Sequence, residues 1–142
     1  MAKEMRDIEL LGNDILLIAQ KLLEKQGEFL PFARVMDLKG EILYILPDSI
    51  EERPKSKDLV NEYISILKEI AKKGGIIAAG IGMDVKISDV KTGKISDAVC
   101  GKVENNKDEA IELYLPYQKG ILGKINYQGL TINIGKRVIF FE

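Results

Sequence analysis

The apolar residues near the start of the chain recur at steps of three and four, which is the period of a helix. They predict an amphipathic helix from about Ile8 to Gln26 that ends at Gly27. A second helix is predicted over roughly Lys57 to Lys73, with Ser56 as its N-cap and Gly74-Gly75 as its stop. The residues expected on the two buried faces are Leu11, Ile15, Ile18, Leu22 and Leu23, and Val60, Tyr63, Leu67, Ile70 and Ala71.

Between and after the helices, the apolar pattern changes to the period of two that marks β-strands. Phe32 to Leu38 and Ile42 to Leu46 predict a hairpin, with Gly40 at the left-handed position of its turn. The stretch from Pro47 to Ser56 is polar and contains prolines, so it is expected to be an exposed loop. From Ile76 the alternation predicts a long strand with one buried face. Shorter strands are predicted over Asp97–Glu104, Glu109–Tyr117, Leu130–Ile134 and Arg137–Phe141.

The order of these elements predicts an α+β fold, α-β-β-α followed by four or five strands. The connections after the second helix are too short for parallel crossovers. The sheet is therefore expected to be largely antiparallel, with both helices packed on it. No repeat or linker divides the sequence, so residues 1–142 are expected to form one domain.

Composition and charge exclude several classes of protein. The longest apolar run, Ile76 to Met83, is far too short to span a membrane. Charges near the N-terminus interrupt any signal-peptide core and the chain has one cysteine, so we expect a cytoplasmic protein with no membrane partner. A net charge of −1 argues against a nucleic-acid partner. Residues 1–71 carry 10 basic and 14 acidic residues and residues 72–142 carry 11 and 8, an asymmetry that favours association.

The residues that common catalytic chemistry requires are missing from the sequence. There is no histidine, so nucleophile–histidine pairs are impossible, and the single Cys100 cannot assemble a zinc site. We therefore expect no enzyme activity, no cofactor and no metal. Asp84, Glu104 and Glu112 fall on predicted strands and could form an acid–base pair on one sheet face. A solvated sheet face explains such carboxylates more often.

Two glycines and a tyrosine-proline segment are the candidate binding residues. Gly80 and Gly82 follow a helix and enter a strand, which is the wrong context for a phosphate loop. They indicate close packing of a helix, or a ligand that approaches the bare backbone. In Tyr114-Leu115-Pro116-Tyr117 the proline is expected to end the strand, and tyrosines there suit either a core or a binding patch. The candidates are Gly80, Gly82, Tyr114, Pro116 and Tyr117.

Four short segments carry a resemblance to known sequences. They are Phe29-Leu30-Pro31-Phe32-Ala33, Gly40-Glu41-Ile42, Asp97-Ala98-Val99 with Glu104, and Tyr114-Leu115-Pro116-Tyr117. In these respects the chain resembles a group of uncharacterised small bacterial α+β proteins, over about residues 10 to 120. The resemblance implies a ligand-binding protein or a component of a toxin–antitoxin pair, and it transfers no catalytic residues.

Two hypotheses for function remain open. The first is a non-catalytic protein-interaction module of the antitoxin or immunity type, whose sheet edge or open face pairs with a protein partner. The alternative is a small-molecule binder with a pocket between helix and sheet, near the candidate residues. A homodimer is compatible with both hypotheses, because an exposed edge strand invites pairing.

Overall fold

The predicted α+β fold is confirmed by the structure, a computed structural model that describes residues 6–47 and 55–140. The elements are α1 (Asp7–Gln26), β1 (Phe32–Asp37), β2 (Ile42–Ile45), α2 (Ser56–Lys72), β3 (Ile76–Ser88), β4 (Ile95–Asn105), β5 (Ala110–Lys119), β6 (Ile125–Tyr127) and β7 (Thr131–Ile134), with a 3-10 turn at Ile121–Gly123. Every strand pair is antiparallel. The strand order is β2-β1-β3-β4-β5-β6, and β7 lies beside β6 along β5.

The two helices cover opposite faces of the sheet. α1 packs across β3 and β4, and we call this side the α1 face. α2 packs over β1 and β3 on the other side, the α2 face, where the C-terminal segment 136–140 adds Ile139 to the core. The fully or nearly buried residues of the helices are Ile8, Leu11, Gly12, Ile15, Leu16, Ala19 and Leu23 in α1, and Leu59, Tyr63 and Leu67 in α2. Among the described residues, neither helix has both the length and the apolar character needed to cross a membrane.

The first half of the central strand β3, residues 76–82, is buried on both faces, so the prediction of a single buried face was wrong there. Ala79 and Ile81 belong to the core under α2. Gly80 and Gly82 lie on the other face, against side chains of α1 and β1. Because glycine contributes no side chain, a face built on glycines does not look apolar in the sequence even when a helix covers it.

The outer edge beyond β5 contains a β-bulge. β6 pairs with residues 117–119 and β7 with residues 111–114, and the two registers differ by one residue. The carbonyl of Pro116 accepts a hydrogen bond from the N–H of Gln128 at this irregularity. In an antiparallel strand the N and C=O of one residue point to the same side, so the missing N–H of Pro116 faces the bulge and not β4. β5 therefore continues to Lys119, and the prediction that Pro116 ends the strand was wrong.

Two further predictions about the ends of elements were wrong. Residues 136–140 form no strand, because the N–H groups of Val138, Ile139 and Phe140 donate to the carboxylate of Glu104 instead of to a neighbouring strand. Ser56 is the first residue of α2 and not its N-cap. Most of the predicted loop from Pro47 to Ser56 lies outside the described residues, as does Phe141.

Candidate functional site

The two candidate glycines lie directly beneath core side chains. A Cβ atom on Gly80 would be 2.6 Å from Cδ1 of Ile15, and one on Gly82 would be 2.4 Å from Cζ of Phe32. Both separations are far shorter than van der Waals contact. Ile15 and Phe32 therefore fill the space that a ligand would need. The glycines allow α1 to pack closely on β3 and make room for the ring of Phe32 from the neighbouring strand β1.

The candidate tyrosines lie on opposite faces because side chains alternate along β5. Tyr117 is buried on the α1 face, where its hydroxyl donates to Oδ1 of Asp84 at 2.6 Å. Tyr114 lies on the α2 face, where its hydroxyl donates to Oε2 of Glu112 at 2.9 Å. Pro116 shares the face of Tyr114 by the same alternation. The structure thus divides the five candidates, three on one face and two on the other, and does not gather them in one pocket.

The strand carboxylates have separate partners. Burial raises the pKa of the Asp84 carboxyl, and the hydrogen bond from Tyr117 opposes that rise. Glu104 is buried, and both its oxygens accept hydrogen bonds at 2.9–3.1 Å from the N–H groups of Val138 and Ile139. It therefore anchors the C-terminal segment to the α2 face.

Cys100 is a buried thiol on β4. Burial raises its pKa to about 11, so it stays protonated at neutral pH and is a poor nucleophile. Across residues 6–47 and 55–140, no three acidic or cysteine side chains are grouped so that they could hold a metal ion.

A cavity of about 170 Å³ lies on the α2 face, between α2 and the sheet. Val60 and Ile64 of α2 and Ile81 and Met83 of β3 contribute apolar walls. The C-terminal segment forms another wall. The polar side chains that line the cavity are Lys102, Glu104, Glu112 and Lys136.

Sequence reasoning missed a cluster centred on Arg34 of β1. Its guanidinium donates two hydrogen bonds to the carboxylate of Asp14 in α1, from Nε to Oδ2 at 2.8 Å and from Nη2 to Oδ1 at 3.1 Å. The ring of Tyr44 in β2 lies over the same guanidinium, 4.0 Å from its carbon to the ring centroid. The side chains of Arg34 and Asp14 are only 12% and 21% exposed. The bidentate ion pair and the ring stack thus hold Tyr44 in a defined position.

Two exposed leucines of α1 are helical neighbours of Asp14. Leu10 and Leu17 stand four residues before and three residues after Asp14, so they share its side of α1. Tyr44 is 54% exposed and Leu17 is 58% exposed. We call Leu10, Leu17, Arg34 and Tyr44 the Tyr44 surface. The sequence contained one sign of this surface: Leu10 and Leu17 are apolar but lie outside the buried stripe of an otherwise amphipathic helix.

Comparison of the chain with protein-family models, curated proteins and solved structures finds no significant match. The argument for function therefore depends on the surfaces and cavities described above.

Proposed function

We propose that this protein is a non-catalytic interaction module that binds a protein partner through the Tyr44 surface. The observation that carries the proposal is a half-exposed tyrosine fixed over an arginine that is itself locked by an ion pair. Tyrosine and arginine are enriched at the energetic centres of protein interfaces. The exposed leucines that share the side of Asp14 on α1 suit the rim that excludes water from such a centre.

Tyr44 is already ordered before a partner binds, and this favours a high affinity for the partner. Association immobilises side chains, and that entropy cost falls when the anchor already holds its bound conformation. The acidic excess of residues 1–71, which include the whole surface, favours a partner with a basic patch. An antitoxin or immunity protein, which covers the surface of another protein, is the class of module that we infer.

The test is binding to the product of the gene adjacent to this one, measured by isothermal titration calorimetry after coexpression. Tyr44→Ala should weaken the affinity by about 30-fold, since truncation of an interface anchor costs about 2 kcal/mol or more. Val90→Ala is the matched control, because Val90 is fully exposed in the turn after β3 and outside the surface. An unchanged affinity in a folded Tyr44→Ala variant would contradict the proposal.

The antitoxin type has its own readout. The neighbouring product should arrest growth when expressed alone, and coexpression of this protein should relieve the arrest. Relief that Tyr44→Ala abolishes and Val90→Ala preserves would support the antitoxin type. Binding without any growth arrest would leave an interaction module of another type.

The cavity on the α2 face favours small-molecule binding as a second candidate function. Glu104 and Glu112 in its lining already accept hydrogen bonds within the chain, from Val138, Ile139 and Tyr114. The apolar walls and the two lysines are therefore left to contact a small compound with an apolar body and one carboxylate. Such a ligand must raise the melting temperature, because it binds only the folded state. A library of small carboxylic acids tests this by thermal shift. Val60→Phe should fill the cavity and remove the shift, whereas Val90→Phe should retain it.

A further inference from the structure

A groove of about 430 Å³ lies where the end of α2, the turn between β4 and β5 and the C-terminal segment meet. Its apolar lining comes from Ala71, Ile139 and Phe140. Its polar lining comes from Lys72, Asn106, Asp108 and Arg137. We call it the Arg137 groove. It is distinct from the cavity between α2 and the sheet, because only Ile139 lines both.

The guanidinium of Arg137 is only partly satisfied by the chain. Its Nη2 donates to the carbonyl of Phe140 at 2.6 Å and lies 2.9 Å from Oδ1 of Asp108 in an ion pair. Its Nε is buried and has no hydrogen-bond partner in the part of the chain that the structure describes. Buried donors in folded proteins almost always have an acceptor, so this one requires an explanation.

The other buried arginine pair of the protein shows how such a guanidinium edge is satisfied. Nε and Nη2 of Arg34 donate to the two carboxylate oxygens of Asp14, at 2.8 and 3.1 Å. At Arg137 the carboxylate of Asp108 engages Nη2 and leaves Nε without an acceptor. An anionic group that offers two oxygens to Nε and Nη2 together would therefore bind this edge better than Asp108 does.

Asp108 is a partner that another anion can displace. Its side chain is 78% exposed, and exposed ion pairs hold their members only weakly. Lys72 adds a second cation to the lining of the groove, where it offsets the negative end of the α2 dipole. The groove thus has two cations and one loosely held carboxylate among its lining residues.

We propose that the Arg137 groove binds a small organic anion whose carboxylate or phosphate group takes the place of Asp108. Two oxygens of that group accept hydrogen bonds from Nε and Nη2 of Arg137, and Lys72 contributes its charge. The apolar body of the anion lies against Ala71, Ile139 and Phe140. Carboxylates and phosphates both present two oxygens to an arginine in this manner, so the head group is defined by its charge and its paired oxygens.

This site depends neither on the Tyr44 surface nor on the cavity between α2 and the sheet. Tyr44 pairs with Arg34, whose side chain meets α1, so its surface lies on the α1 face. Val60 lines the cavity but not the Arg137 groove. Val60→Phe should therefore leave binding at the groove unchanged, and Tyr44→Ala should do the same. Failure of either proposed function is thereby separable from failure of this inference.

Isothermal titration calorimetry of the full chain tests the inference with benzoate and phenyl phosphate as probes. Both combine an anionic head group with an apolar ring, and benzamide is the uncharged control. We expect saturable binding of at least one of the two anions and none of benzamide. The stronger anion identifies the head group. A wild-type chain that binds neither anion, or that binds benzamide as tightly, would overturn the inference.

Three variants test the role of Arg137. Arg137→Met should abolish binding of the anion. Arg137→Lys keeps the charge but lacks the paired donors, so it should weaken binding by about 10-fold. Lys91→Met removes a cation from the exposed turn after β3 and should leave the affinity unchanged. Binding that survives Arg137→Met, or that falls equally in Lys91→Met, would show a general attraction of charges and overturn the inference.

Asp108→Asn gives a gain that a fold defect cannot imitate. It removes the competing carboxylate, so the affinity for the anion should rise by about two- to five-fold, in keeping with the weak exposed ion pair. Asparagine tolerates the left-handed backbone conformation of this position, where φ is 66°. Asp58→Asn, exposed at the other end of α2, is the matched control and should have no effect. An unchanged or lower affinity in Asp108→Asn would overturn the inference.

Discussion

The two faces of the sheet are covered by different physical means. On the α1 face, side chains of α1 and β1 enter spaces that glycines leave in β3. On the α2 face, the C-terminal segment is held by hydrogen bonds from its backbone to the single carboxylate of Glu104. The α1 face is thus covered by close packing of complementary shapes, whereas part of the α2 face is covered by a segment whose backbone is bound by one side chain.

This difference has a consequence for local stability. A helix packed across β3 and β4 can separate from them only when the core is lost. A short segment held by the carboxylate of Glu104, one core side chain (Ile139) and an ion pair from Arg137 to Asp108 can detach while the rest of the fold persists. We therefore expect the α2 face to be the more easily opened side, and this is also the side that holds the cavity between α2 and the sheet.

The largest expected effect is that of Ile15→Ala. Ile15 is fully buried over Gly80 and Gly82, so the sheet offers no side chain that could fill the space left behind. We expect a loss of about 4 kcal/mol in the free energy of unfolding, near the upper end for such truncations. Denaturant unfolding measures it. Leu67→Ala, at an equally buried site on the α2 face, should cost less, and equal costs would remove the distinction between the faces.

A double-mutant cycle sharpens the same point. Gly80→Ala alone should destabilise the protein, since its new methyl group meets Cδ1 of Ile15. In the Ile15→Ala background that atom is gone, so the same change should cost less, and the remaining cost should come from the carbonyl oxygen of Lys102 at 3.0 Å and Cγ2 of Val103 at 3.2 Å. Strict additivity of the two changes in unfolding experiments would show that this contact does not govern the packing of the α1 face.

Glu104→Ala should be the next most damaging change. It leaves the N–H groups of Val138 and Ile139 without their acceptor, and we expect a cost of about 2–3 kcal/mol. Hydrogen exchange should accelerate at residues 138–140 while the amides of β3 and β4 keep their protection. Glu69→Ala removes a carboxylate that is 67% exposed and should have little effect. Uniform acceleration across the sheet would contradict local detachment.

Gly82→Ala should cost about 2 kcal/mol through overpacking. The added Cβ would meet the ring of Phe32, which is held in the core and has little room to move. Gly75→Ala is the control, since a Cβ there meets nothing within 4 Å, and we expect it to be neutral or slightly stabilising. Thermal unfolding of the two variants gives the comparison. Equal melting temperatures would count against close packing as the role of Gly82.

The smallest expected effect concerns Asp84 and depends on pH. Burial raises the pKa of this carboxyl in the folded state, so its contribution to stability is present below the unfolded value of about 3.9 and is lost as pH rises through the folded pKa. Asp84→Asn should therefore gain stability relative to the wild type as the pH rises towards neutral. Tyr117→Phe removes the hydrogen bond that lowers this pKa and should steepen the decline in stability with pH. Denaturant unfolding across this pH range measures both, and a pH-independent difference for Asp84→Asn would contradict the assignment.

Much of the fold could be predicted because its signals are local. The helical period fixes α1 to within one residue of the predicted start, and Gly27 ends it in a left-handed conformation. The hairpin likewise follows from its turn, where Oδ1 of Asp37 accepts from the N–H groups of Lys39 and Glu41. These features need only the neighbouring residues in the chain.

The features that were missed depend on contacts distant in sequence. Pro116 is tolerated in β5 because a bulge lies opposite it, and residues 136–140 avoid a strand because Glu104 accepts their N–H groups. The Tyr44 surface combines residues of α1, β1 and β2. Arg34 and Asp14 are 20 residues apart in the sequence, and no local pattern predicts that these two side chains form an ion pair.

The sequence alone determined the two helices, the hairpin between them and the three long strands β3, β4 and β5. Hydrophobic period and turn chemistry suffice there, because they act over a few residues. The short strand β6 was not predicted, and the strand predicted over Arg137–Phe141 is absent from residues 137–140. Only the tertiary structure decided that the helices cover opposite faces, that Gly80 and Gly82 accommodate Ile15 and Phe32, and that Tyr114 and Tyr117 face apart. Those outcomes depend on strand register and on how closely α1 can approach β3. Both are set by packing across the whole sheet, which explains why the candidate binding residues of the sequence lie apart in the structure.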